Sequence, residues 1–402
     1  MGKRITAYTM VLTMFLSILM PVHTVRAEQT SPEQETQEES LIEAPCGVLL
    51  EASTGKVIYE KEKDTMRSPA SITKIMTLIL IFDALEEGKL QMEDLVTTSA
   101  CAKSMGGSQV YLEEGETQSV ETLIKCIVIA SGNDASVAMA EHIAGSEEAF
   151  VKMMNERARS LGMTSTHFED CCGLTDSENH YTTAYDVALM SRELVTHYPE
   201  ILNYSSIWMD TITHKTRQGT SEFGLTNTNK LVRSYEGCVG LKTGSTSLAK
   251  YCVSAVAVRD QMTLIAVVMG AENYKIRFQD AAAMLNYGFA RCSLYQDEDA
   301  DREFAVNVRG GKEEQVTGVY EKGFTYVDTT GKSLDQVKKK TVLSENLKAP
   351  VKKGDVLGKT VYYLDQEPIG EAKIVARQGM EEAQYTDRLR QIWQEWLLEE
   401  MI

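Results

Sequence analysis

The sequence predicts an α+β (α/β) chain in two folded parts. The first, over residues 44–295, has strands at both ends and an inserted helical region. The second, over 302–376, is a small all-β domain. Three observations carry this. Strand-like runs near residues 47–60 and 250–269 bracket a stretch of helical periodicity. Past Asp301 the chain changes to short alternating runs with Gly-containing turns. At 43% hydrophobic and 25% charged residues over 402 positions, a large packed core is possible and wholesale disorder is not.

In chain order, the N-terminus comes first. Lys3 and Arg4 precede the apolar run from Ala7 to Met20, which Pro21 breaks, and Val25-Arg26-Ala27 supplies small residues at a cleavage site. That is the layout of a secretory signal over 1–27, too short for a comfortable membrane span, so the mature protein is expected to work outside the cytoplasmic membrane. Residues 28–43 are rich in Glu, Gln, Thr and Ser and read as a flexible leader. The runs Gly47-VLLEA and Lys56-VIYE read as two strands about the turn Ser53-Thr-Gly55. From Ser71, the positions of Ile72, Ile75, Met76 and Ile79 predict a helix that Ser71 opens. Val120 to Ala130 and Asp134 to Ile143 read as two further helices separated by Ser131-Gly132-Asn133. Lys250 to Val258 and Met262 to Met269 read as strands, and Arg277 to Phe289 as a helix closing the unit. A sheet built from strands of both ends, with the helices inserted, is one arrangement this order permits. The segment 380–402 reads as a last helix, with Tyr385, Leu389, Ile392, Trp393, Trp396 and Leu397 on one face.

The net charge of −17 argues against nucleic-acid binding. Export permits disulfides among the eight cysteines, but spacing pairs none of them, and Cys126 and Cys252 lie in apolar runs as small buried hydrophobes. No metal is expected: the six histidines include no HExxH, and Cys171-Cys172 lacks partners at ligand spacing. No cofactor motif is present in the reading either.

Three short motifs carry the chemistry: Ser71-Ile72-Thr73-Lys74, Ser131-Gly132-Asn133 and Lys242-Thr243-Gly244. Ser-x-x-Lys recurs at Ser53 and Ser247, and Ser-x-Asn at Ser177 and Ser344, so context must separate the working copies. Ser71 opens a helix, and Lys74 lies one turn on, where its amine can return to the hydroxyl. A serine hydroxyl attacks only when a base takes its proton, and lysine serves only if burial or a nearby cation lowers its pKa. Lys242 can supply that cation. Ser53 sits in a hairpin turn and Ser247 in a loop, so neither fits. Ser131 and Asn133 sit in a break between helices, able to relay a proton and hold an amide; the alternative is simple helix capping. Lys242-Thr243-Gly244 is read as preceding a strand, where an amine and a hydroxyl can meet a carboxylate and the glycine admits close backbone approach. Its alternative is an ordinary turn.

Motifs of these types in this order mark penicillin-binding proteins and class A β-lactamases. The longer strings SPASITKIMT, IASGNDASVAMAEHI, CCGLTDSENHYTTAYDVALMSREL and GLKTGSTSLAKYCVSAVAV resemble the low-molecular-mass D-alanyl-D-alanine carboxypeptidases, serine peptidase family S11. The resemblance implies a β-lactamase/transpeptidase-like domain with an antiparallel sheet, Ser71, Lys74 and Ser131 as catalytic residues, and Asn133, Lys242, Thr243, Gly244 and Ser245 as substrate-binding residues. It implies peptidoglycan stem peptides as substrate, β-lactams as inhibitors, and peripheral membrane contact through 380–402. Against that last point, 381–402 carries six acidic and two basic side chains. A β-lactamase, a transpeptidase or endopeptidase, and a silent wall-binding protein are the competing readings. No Glu-x-x-Leu-Asn element follows Ser131, which speaks against the first, and the intact nucleophile and base speak against the last. Lys250 stands where the family commonly has glycine, so an added side chain is expected to narrow the cleft or alter specificity. His180 matches the family and is expected to pack or cap.

Overall fold

The computed structural model describes residues 40–389 and Trp393. The signal segment 1–27, residues 28–39 of the leader and most of 380–402 lie outside the described residues. The leader's last residues belong to the fold: Ile42 is buried, and the backbone N–H groups of Glu43 and Ala44 donate to the Asp280 carboxylate at 3.1 and 2.7 Å.

A five-stranded antiparallel sheet organises the first part, in the order Val57–Lys61, Cys46–Glu51, Met262–Ala271, Lys250–Arg259, Cys238–Thr246. Strands from the two ends of the unit meet where Cys46 pairs with Met269. The expectation of a sheet closed by both ends therefore holds. Lys242-Thr243-Gly244 differs from the reading: it lies inside the edge strand, opposite Ser254, Val253 and Cys252, rather than ahead of a strand.

Each face of the sheet is covered. On one side the helix Tyr274–Arg291 lays Phe278, Ala281, Met284 and Leu285 over Leu49, Val253, Leu264 and Ala266. Gly288 admits the close approach, since a Cβ there would stand 2.6 Å from Leu264 and 2.8 Å from Leu49. On the other side lie Lys74–Glu86, Asn133–Ala144 and Ala184–His197. The first of these is apolar from Ile75 through Phe82 apart from Thr77, and that stretch is buried all round, as such a helix must be. The hairpin Met209–Thr216 and Gly219–Thr226 is an element that periodicity did not reveal.

The second part is a six-stranded sheet drawn from Phe304 to Ala376. The strand Ser293–Gln296 pairs with Thr325–Asp328 and ties the two parts together. Beside it the buried Asp297 carboxylate accepts from Lys339 Nζ at 2.7 Å and from the Tyr362 hydroxyl at 2.5 Å. Lys339 belongs to the edge strand Lys338–Leu343, whose lysines discourage pairing with another chain. Residues 385–389 are helical, and Tyr385, Leu389 and Trp393 are exposed. Among the described residues no helix is long and apolar enough to cross a membrane.

Candidate active site

Ser71 lies in a 3-10 turn, Ala70–Thr73, and Lys74 is the first residue of the α-helix that follows. The predicted helix start is thus one tight turn, and neither helix has a side-chain cap there, so Ser71 is not a capping residue. Ala70 holds a positive φ of 48°, an uncommon conformation for a non-glycine residue. The turn at 170–173 presses on it from outside. A Cβ on Gly173, whose φ is +76°, would fall 1.8 Å from the Ala70 carbonyl oxygen. Asp170 shapes that turn by accepting backbone N–H groups of Cys172, Gly173, Leu174 and Thr175. Burial opposes its ionisation, but His180 and these N–H donors outweigh it and hold the carboxyl below its ordinary range.

Lys74 Nζ is fully buried, 3.0 Å from Ser71 Oγ, 2.6 Å from Asn133 Oδ1 and 2.8 Å from the Cys172 carbonyl. Burial lowers its pKa, against the opposing pull of the Asp170 and Asp134 carboxylates. Asn133 is itself pinned, donating through Nδ2 to Gly106 O at 2.7 Å and through its backbone to Ser108 O at 2.8 Å. Gly132 is the N-cap of the Asn133–Ala144 helix and no side chain caps it, so the capping alternative fails here too. Ser131 has φ +63°, and among the described residues its buried Oγ has no hydrogen-bond partner.

The edge strand faces the nucleophile. A Cβ on Gly244 would stand 3.0 Å from the backbone N of both Ser71 and Ile72, so only glycine lets the strand and the turn approach this closely. Lys242 is fully buried, and its Nζ donates to the Thr243 carbonyl at 3.0 Å. Burial, then the charges of Lys74 and Arg277, drive its pKa well below the ordinary lysine value. Thr243 Oγ1 donates to Thr228 Oγ1 at 2.8 Å. Ser245 is exposed at the rim and pairs with Tyr251. The three motifs, distant in sequence, thus come together around Ser71: Asn133 on Lys74, Gly244 against the backbone of Ser71, and Lys242 within reach of the Lys74 charge.

Arg277 was not foreseen. It reaches from the helix behind the sheet to donate from Nη1 to the carbonyls of Gly244 and Cys252 at 3.2 and 3.3 Å, and among the described residues its buried Nε has no hydrogen-bond partner. The available hint was an arginine in the first turn of a helix, where the dipole disfavours a cation. His180 packs, as expected. It accepts the Glu169 N–H at Nδ1, so its proton sits on Nε2, 2.8 Å from Thr73 Oγ1, and its ring meets Phe168 edge-on. Lys250 corrects an expectation. It adopts φ +57°, and its Nζ leans to within 4.0 Å of Glu272, beyond the strand on its far side. It does not reach over the cleft from that position. All eight cysteines are free thiols, and seven are buried.

Residues 32–273 match the peptidase S11, D-alanyl-D-alanine carboxypeptidase, family, and residues 295–382 match the penicillin-binding protein 5 C-terminal domain. The chain is 41% identical over 355 residues to the D-alanyl-D-alanine carboxypeptidase DacF of Bacillus subtilis, covering 88% of this chain and 90% of that one. It is 33% identical over 367 residues to DacC of Escherichia coli, covering 89% of each. Its fold is similar to the crystal structures of penicillin-binding protein 5 from Haemophilus influenzae, with a TM-score of 0.71 and 31% identity over 85% of this chain and 98% of that one.

Proposed function

This chain belongs to the peptidase S11 family of D-alanyl-D-alanine carboxypeptidases, and we propose that it removes the terminal D-alanine of peptidoglycan stem peptides through an acyl-enzyme on Ser71. The observation that carries the mechanism is the coordination of Lys74. A neutral amine has two N–H donors and one lone pair. The two shorter contacts, to Asn133 Oδ1 and Cys172 O, take the donors, and the lone pair is left for the Ser71 hydroxyl at 3.0 Å. Burial favours that neutral form. The buried lysine is therefore a general base aimed at the nucleophile.

The remaining roles follow from position. Lys242 and Thr243 receive the terminal carboxylate, for which a buried amine and a hydroxyl on the last strand of the sheet are suited. The scissile carbonyl then lies opposite Gly244, where backbone N–H groups of Ser71 and Ser245 serve as the oxyanion hole. Ser71 Oγ bonds to the carbonyl carbon as Lys74 takes the hydroxyl proton. Ser131 relays that proton from Lys74 to the D-alanine nitrogen as the C–N bond breaks, assisted by Lys242, and D-alanine leaves. Water releases the shortened peptide in a second, base-assisted step. β-Lactams, which mimic the same carbonyl and carboxylate, acylate Ser71.

The division into a catalytic domain at 44–295 and a β domain at 302–376 suits this reading, with the enzyme exported to the outer face of the cytoplasmic membrane or the wall. We place peripheral membrane contact in 380–402, and flotation with liposomes, with and without that segment, tests it: equal flotation removes the idea. For the chemistry, labelled penicillin should map to Ser71, and a pentapeptide should release D-alanine. Ser71→Ala should lose both signals; labelling retained by that variant would refute the assignment, and fast penicillin turnover would favour a β-lactamase.

A further inference from the structure

A cleft of about 450 Å³ opens between the segment leading to Ser71 and the turn after the edge strand. Its lining includes Met66, Arg67, Ser68, Glu178, Leu248 and Ala249. Met66 and Leu248 are 61% and 45% exposed, so apolar groups form an open rim. Arg67 brings a guanidinium and Glu178 a carboxylate to the same lining. Arg67 Nε donates to Cys46 Sγ at 3.1 Å, and among the described residues neither Arg67 nor Glu178 has an ion-pair partner. Two unpaired charges of opposite sign in one cleft with apolar margins fit an aliphatic chain ending in an amino-acid zwitterion.

The direction of the edge strand says which part of the substrate arrives there. Lys242 and Thr243 lie toward one end and Leu248 and Ala249 beyond the other, with Gly244 against the backbone of Ser71. A substrate anchored by its carboxylate at the first end runs its acyl peptide toward the second. From Gly244 to Thr246 is roughly 7 Å at about 3.3 Å per extended residue. That is the span from the scissile carbonyl to the residue preceding the two D-alanines.

We infer that the cleft lined by Arg67 and Glu178 binds the side chain of the residue preceding D-alanyl-D-alanine, and selects one bearing both an ammonium and a carboxylate. Glu178 takes the ammonium and Arg67 the carboxylate, while Met66 and Leu248 cover the methylenes. This rests on the carboxypeptidase reading above and adds the identity of the stem peptide to it. Both residues are specificity residues; neither touches the reacting atoms.

The experiment compares kcat/KM for D-alanine release from pentapeptides differing only at that residue: meso-diaminopimelate, its side-chain carboxamide, L-lysine and norleucine. The full-length enzyme should prefer diaminopimelate to its amide and to lysine by roughly tenfold, and lysine to norleucine by a similar factor, as expected for partly exposed charge pairs with hydrogen bonds. Glu178→Gln should abolish the preference for lysine over norleucine, while its rate of acylation by benzylpenicillin, which lacks this side chain, stays within twofold of the parent. Equal kcat/KM for all four peptides, or a lysine preference that survives Glu178→Gln, overturns the inference while leaving the carboxypeptidase intact. Absence of both D-alanine release and penicillin acylation would overturn the parent reading and this one with it.

Discussion

Asn133 Oδ1 lies 2.6 Å from Lys74 Nζ, closer than the 3.0 Å from that nitrogen to Ser71 Oγ. The amide orients the amine and, being uncharged, does not draw a proton onto it. Asn133→Asp would place a carboxylate at the same contact, which favours the ammonium form and raises the Lys74 pKa. The rate of acylation depends on neutral Lys74, so its acid limb moves to higher pH and the rate on that limb falls. Acylation by a fluorescent penicillin across pH 5–10 measures this. An unmoved limb would show that Lys74 is not the base.

Lys242 links stability to pH. Its amine is buried with its folded-state pKa well below the ordinary 10.5, and unfolding returns it to water. Between those two pKa values the unfolded chain binds the extra proton. The native state therefore gains stability as pH rises through that window and loses it as pH falls. Lys242→Met removes the liability. It should raise stability near neutral pH by on the order of 1–3 kcal/mol, with the gain shrinking as pH nears 10.5, while D-alanine release is lost. Thermal denaturation at pH 7 and pH 10 tests both signs.

What was readable in the sequence was local. Ser71 and Lys74 are one turn apart, so spacing alone brings amine and hydroxyl together, and apolar runs on either side expose the break at Ser131 to Asn133. The strand holding Lys242 was less legible. Cys238–Thr246 is buried on both faces for most of its length, so it shows no alternation, and Gly240 and Gly244 weaken its strand signal. The Cys172 carbonyl that holds Lys74 has no side-chain signature at all, and Arg277 arrives from a helix behind the sheet. The Met209–Thr226 hairpin is mostly exposed, so little apolar patterning marks it.

Lys250 keeps a left-handed φ of +57° where glycine would be unstrained. Its side chain is half exposed and makes only a long contact to Glu272 at 4.0 Å. Surface pairs of that kind contribute about 0–1 kcal/mol. Lys250→Gly relieves the backbone but loosens the unfolded chain, so the expected net effect is a change of about 0.5 kcal/mol or less toward stability. Because the side chain leans away from the cleft, kcat/KM should stay within twofold. A larger change in kcat/KM would mean that Lys250 acts on substrate after all.

Two glycines with nearly the same φ should behave differently on substitution. Gly145, at φ +79°, ends the Asn133–Ala144 helix and has nothing within 4 Å of a built Cβ. Gly145→Ala should cost only the left-handed backbone term, about 1 kcal/mol, and leave acylation unchanged. Gly173, at φ +76°, has the Ala70 carbonyl oxygen 1.8 Å from that position and Thr73 Oγ1 at 2.8 Å. The Ala70 carbonyl is backbone and cannot swing clear as a side-chain end could. Gly173→Ala must displace either the turn that presents the Cys172 carbonyl to Lys74 or the turn that carries Ser71. The first change misplaces the base and the second the nucleophile. Expected is a loss of more than about 2 kcal/mol and a fall in penicillin acylation of at least a hundredfold, since misplacement by about 1 Å costs that much. Chemical denaturation together with acylation kinetics on the two variants decides it. Near-parental acylation in Gly173→Ala would mean that the 170–173 turn is not what sets the position of Lys74.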